Sequence, residues 1–149
     1  MIISRAFISS LFVLGFSSSL YAKPLEIRPL LMDRFEGDCG VREQYDFHDN
    51  EDRLMRPLSA QIISTQRKDE LALNSTTYKL KNVFYAGIPV MKIEFSFGKV
   101  AQQYNEFLYL DLRSPEAKAQ LAKLSLKHAN EDVEIKKNVA TIQCYWTLY

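Results

Sequence analysis

Alternation of hydrophobic and polar positions runs through most of the chain beyond Pro57 and is strongest at the C-terminus. There Ala140, Ile142, Cys144, Trp146 and Leu148 alternate with Thr141, Gln143, Tyr145, Thr147 and Tyr149. A period of two sends successive side chains to opposite faces of a strand, so Cys144 is expected to point with the apolar set. Residues 106–112 repeat the pattern, with Leu108, Leu110 and Leu112 on one face and Phe107 and Tyr109 on the other. Ala86-Gly87 is a turn candidate between two further strands. After it, Met91, Ile93, Phe95 and Phe97 alternate with Val90, Lys92, Glu94 and Ser96. Before it, Tyr78, Leu80, Phe84 and Ala86 share a face that Asn82 interrupts. Ile62 and Ile63, followed by the turn-like QRKDE, suit one more strand.

One segment has helical rather than strand spacing. Ser114-Pro115-Glu116 supplies an N-cap, a proline at the first helical position and an acid for the positive end of the dipole. Ala117, Leu121, Leu124 and His128 then recur at helical intervals, and Asn130 is the predicted stop. Upstream, residues 23–32 read KPLEIRPLLM, where prolines 24 and 29 predict an extended arm or edge strand. Between residues 33 and 53 there is no hydrophobic period, and eight acidic residues face three arginines, so a charged loop is the expectation. These elements predict an α+β fold: an antiparallel-rich sheet of about five to six strands, with one helix inserted before the last strand.

The first 22 residues differ from the rest: Arg5, an apolar stretch from Ala6 to Phe16, then three serines and Tyr21-Ala22. This is the layout of a secretory signal peptide, and the apolar stretch is shorter than a membrane span requires. The expectation is a cleaved leader at 1–22 and a single mature domain at 23–149, with no membrane span once the leader is removed. Cleavage would remove one of 19 basic residues and none of the 18 acidic ones, leaving the side chains balanced. Nucleic-acid binding, which needs clustered cations to displace phosphate counterions, is therefore not expected. In an exported chain the two cysteines, Cys39 and Cys144, predict one disulfide.

No motif specifies a reaction. QYDFHDNEDR, from Gln44 to Arg53, places Asp46, His48, Asn50 and Asp52 at alternate positions, a rhythm that superficially suits calcium. The glycine and the terminal acid that a calcium loop needs are replaced by Glu51 and Pro57. Two histidines are too few for a zinc site once the cysteines are paired. Glu94 and Asp111, acids within apolar strands, are the only positions suggesting carboxylate chemistry, and a solvent-facing placement is the simpler reading. No metal, cofactor or catalytic residue is expected.

What remains is display of aromatics and charge. Tyr85, Phe107, Tyr109, Tyr145 and Tyr149 are expected opposite the core, and aromatics among adaptable polar neighbours suit protein contacts. The expectation is a small periplasmic or secreted protein that binds another protein, as an inhibitor of a cell-wall hydrolase or an immunity protein against a delivered toxin. Asp46, His48, Asp49, Glu51, Asp52, Tyr145 and Tyr149 are its candidate contacts, an acidic set suited to a basic partner. The alternatives are a carrier of a small ligand or lipid, with aromatics lining a cavity, and a small hydrolase.

Overall fold

A computed structural model of the chain describes residues 23–37, 39, 47–126 and 131–147. The expected leader, residues 1–22, lies outside them, as do Asp46, His128 and Tyr149. The described chain runs β1 (Leu25–Glu26), α1 (Arg28–Phe35), α2 (Phe47–Met55), a 3-10 segment (Arg56–Gln61), β2 (Ile62–Asp69), β3 (Leu73–Leu80) and β4 (Val83–Tyr85). It continues with β5 (Ile88–Gly98), β6 (Gln103–Asp111), α3 (Pro115–Leu121), β7 (Glu131–Lys136) and β8 (Val139–Thr147).

The strands form one sheet of eight in the order β1-β4-β5-β6-β8-β7, with β3 joining β5 beside β4 and β2 outside β3. Every pairing is antiparallel except that of β1 with β4. The α+β, antiparallel-rich class is as expected, but the sheet is larger than five or six strands. The helix α3 precedes the last two strands, because β7 forms a hairpin with β8. Its sequence, EDVEIK, is mostly charged and carries little apolar signal.

The N-terminal arm forms the expected edge strand only at β1; beyond it, and in the acidic region, the structure differs from expectation. Pro29 opens a helix rather than an edge strand: a proline in the first turn forfeits no helical hydrogen bond, since that N–H has no partner in any case. Leu31 and Phe35, one turn apart, bury against the sheet with Ile27. Gly37 follows because a Cβ there would lie 2.6 Å from the Asp33 carbonyl oxygen. Residues 47–55, read as charged loop, form α2, whose Leu54 and Met55 join the core.

Two strand faces change phase where the backbone is irregular. Val90 pairs with Leu110 and Lys92 with Tyr109, so Met91 is a bulge residue and points outward. The bulge lets Ile88 and Val90 face the core together with Ile93 and Phe95. Asn82, at φ 55°, similarly breaks the run between β3 and β4. Tyr78 and Leu80 therefore share the core with Val83 and Tyr85, and Tyr85 is fully buried rather than displayed. The turn at Ala86-Gly87 has positive φ at both residues, and Glu26 of β1 accepts hydrogen bonds from both their N–H groups at 2.8 Å.

All described helices lie on one face of the sheet. That face carries Tyr78, Ile93, Leu108 and Ile142 in register across four strands, and α1 closes over it. Cys39, just beyond α1, is bonded to Cys144 on β8, with 5.4 Å between their Cα atoms. The helix layer is thus tied covalently to an inner strand. On α3, the Ser114 hydroxyl accepts the Ala117 N–H at 3.0 Å, the expected cap. The helix stops at Leu121, earlier than the expected end at Asn130, and continues as turns through Leu124.

Candidate binding face of the sheet

The opposite face of the sheet carries no described helix. Register places Thr77, Glu94, Phe107 and Gln143 in one row across β3, β5, β6 and β8. The next row holds Lys79, Lys92, Tyr109 and Thr141, and a third holds Ser75, Ser96, Asn105 and Tyr145. Paired residues in antiparallel strands point to the same side, so these rows form a continuous polar surface set with three aromatic rings.

The side chains on this surface hold one another in place. Thr77 Oγ1 donates to Glu94 Oε2 at 3.1 Å, and Lys92 Nζ reaches the same oxygen at 3.4 Å. The Lys92 ammonium also lies 3.8 Å from the centre of the Tyr109 ring. Asn105 is the second hub: its Oδ1 accepts from Gln103 at 2.7 Å and from Gln143 at 2.9 Å, and its Nδ2 donates to Ser96 at 3.3 Å. Burial, followed by the nearby Glu94 carboxylate, pushes the Tyr109 phenol up to about 12, so it is protonated and able to donate at any physiological pH. Lys68, Lys79, Lys92, Thr77 and Tyr109 line a shallow depression of about 570 Å³ on this side. Phe107, Tyr109 and Tyr145 are half-buried here, as expected for residues opposite the core.

The acidic candidates are placed differently. His48 and Asp49 fall in α2, with side chains outside the described set. Glu51, only 4% exposed, turns inward and accepts the hydroxyl proton of Tyr78. Asp52 is exposed and borders a polar hollow of about 500 Å³ with Arg67, Lys68 and Asp69. It is separated from Tyr145 by β5 and β6, so the structure does not gather Asp52, Glu51 and Tyr145 into one patch.

The two acids singled out within the strands both have cationic neighbours. Glu94 is occupied by Thr77 and Lys92, and the Arg113 guanidinium beside Asp111 holds that carboxyl below its ordinary range. The acid that sequence reasoning missed is Glu106. It points with Leu108 and Leu110, is 2% exposed, and is hydrogen-bonded to Arg34 of α1. Burial pushes its carboxyl up, and Arg34 opposes that shift. Among the described residues its Oε2 has no hydrogen-bond partner, and Glu106 pairs across the strands with Cys144. Its even-numbered position in EFLYLDL was the available signal. Through Arg34, Glu106 links β6 to α1.

Among the described residues no group of three or more His, Cys, Asp or Glu is arranged to hold a metal ion, and no helix is long and apolar enough to cross a membrane. Comparison of the chain with protein families, curated proteins and solved structures finds no match.

Proposed function

We propose that this chain is a small exported binding protein that holds another macromolecule against the open face of its sheet. The observation that carries the reading is the ordered surface around Phe107, Tyr109 and Tyr145: Lys92 lies over the Tyr109 ring, and the Glu94 and Asn105 networks hold the polar side chains set between the rings. Side chains already held in place lose little conformational freedom on binding, and aromatic rings in polar surroundings supply most of the energy in protein contacts. The Cys39–Cys144 disulfide suits an oxidising compartment and therefore export.

Within that class, an inhibitor of a cell-wall hydrolase or an immunity protein against a delivered toxin is the reading adopted. Such proteins need a stable scaffold and a fixed surface rather than a reaction centre. The carrier alternative calls for aromatics around a cavity, whereas the described lining of the apolar hollow beside α3 is aliphatic apart from two lysines; a ligand there would be additional to the function assigned to the open face. The test is binding to candidate hydrolases and toxins encoded beside this chain's gene. A partner is expected to be lost on Phe107→Ala and Tyr109→Ala with the fold retained. Binding that survives both substitutions would remove this face from the interaction.

A further inference from the structure

The early end of α3 creates a second feature, independent of the sheet's open face. Leu121 closes the helix, and Leu124 and Leu126 then run along the helix-bearing side beside the edge strand β7. Between them and β7 lies an open hollow of about 600 Å³, within the range of small-molecule sites. Its wall is aliphatic: Leu112, Leu121, Leu124, Leu126, Val133 and Ile135. Val133 and Ile135 point to this side of β7, since they pair with the core residues Ile142 and Ala140. Yet Ile135 is 58% exposed, which is unusual for a large apolar side chain beside a core.

The charges described in the lining of the hollow are of one sign. Among the described residues, Lys118 from α3 and Lys137 from the β7–β8 turn are its only charged lining residues. Neither takes part in an ion pair among the described residues, in contrast to Lys136, which pairs with Glu134 at 2.7 Å. An aliphatic wall bordered by two cations that form no ion pair among the described residues, with no acid in its described lining, complements a molecule with an alkyl chain and a single anionic head.

We propose that this hollow binds a single-chain anionic amphiphile of the fatty-acid class, with the alkyl chain against Leu121, Leu124, Val133 and Ile135 and the carboxylate between Lys118 and Lys137. The lysines sit on two different elements, the helix and the hairpin turn, so an occupant would bridge them. Binding to the lysines is charge-assisted, whereas the wall cannot distinguish one alkyl chain from another. The head group therefore sets selectivity.

The test is calorimetric titration of the full disulfide-bonded chain with decanoate, below its micelle concentration, with decyltrimethylammonium and 1-decanol as comparators. Saturable binding of one decanoate is expected, with the cationic analogue weaker by about tenfold or more. The Lys118→Gln/Lys137→Gln variant should lose about tenfold for decanoate and leave decanol unchanged, and these exposed positions should not disturb folding. Ile135→Glu should abolish binding of both. Absence of saturable decanoate binding would overturn the proposal, as would equal affinity for the anionic and cationic chains. A concentration-dependent dimer that Ile135→Glu dissolves, without decanoate binding, would assign the hollow to a second copy of the chain instead.

Discussion

Lys92 Nζ sits 3.8 Å above the Tyr109 ring while also reaching Glu94, so one lysine fixes both an aromatic and an acid on the open side of the sheet. The bulge at Met91 is what brings Lys92 opposite Tyr109 in the register. A backbone irregularity in β5 thus sets the surface chemistry. Lys92→Met should cost only about 0.5–1 kcal/mol in urea unfolding, the magnitude of a partly exposed cation–π contact. Its effect on partner binding should be larger, because Tyr109 and Glu94 both lose their restraint.

The tyrosines report this packing directly. Tyr109 and Tyr78 are both pushed up to about 12, in each case first by burial and then by a carboxylate, Glu94 for Tyr109 and Glu51 for Tyr78. An acid whose folded pKa lies above its unfolded value stays protonated in the fold while the unfolded chain ionises, so stability falls as pH rises from about 10 towards 12. Absorbance titration of phenolate should show a late-ionising group that shrinks by one tyrosine in Tyr109→Phe and by one in Tyr78→Phe.

Glu36 gives the opposite sign. Its carboxylate accepts from Arg28 Nε at 2.8 Å and Nη2 at 2.9 Å and from the Tyr85 hydroxyl at 2.8 Å. The Arg28 hydrogen bonds, chiefly, hold its pKa below the ordinary carboxylate value. Its stabilising effect is therefore complete above the unfolded carboxylate pKa, near 4.3, and is lost as pH falls through the lower folded value. Glu36→Gln should be less stable at neutral pH and should lose less stability on acidification, as read from unfolding curves at pH 7, 5 and 3.

Arg34, partly exposed, and the buried Glu106 form the pair that seats α1 on β6. Removing one partner leaves an uncompensated buried group, so Arg34→Met should cost roughly 3–5 kcal/mol. Arg34→Met/Glu106→Leu should recover much of that loss, because a well-packed apolar pair avoids the desolvation cost. A double mutant no more stable than Arg34→Met alone would show that the pair's worth lies in its hydrogen bonding rather than in neutralising Glu106.

The strands with clean alternation were legible from sequence: Leu108, Leu110, Ala140 and Ile142 lie in the core as their spacing requires. So were the cap at Ser114 and the Cys39–Cys144 bond. The segments that escaped were those whose structure depends on partners far along the chain. In α1 the buried positions are few, Leu31 and Phe35, and the helix exists because the sheet supplies something to bury them against. α2 looked like a loop because acids outnumber its two apolar core residues, Leu54 and Met55. Tyr85 was misplaced because a single left-handed residue, Asn82, reverses the strand's faces. On the candidate surface, Phe107, Tyr109 and Tyr145 were recognisable by period, whereas the hubs Glu94 and Asn105 become visible only when register brings their partners alongside.

The most direct measurement is site-specific photocrosslinking in the chain's source cells, with p-benzoylphenylalanine placed at Gln143 on the open face or at Arg56 on the helix-bearing side. Position 143 should yield one discrete protein adduct that disappears on Phe107→Ala, and position 56 should not yield it. Adducts of equal intensity at both positions, or an adduct at 143 that survives Phe107→Ala, would contradict binding through this face.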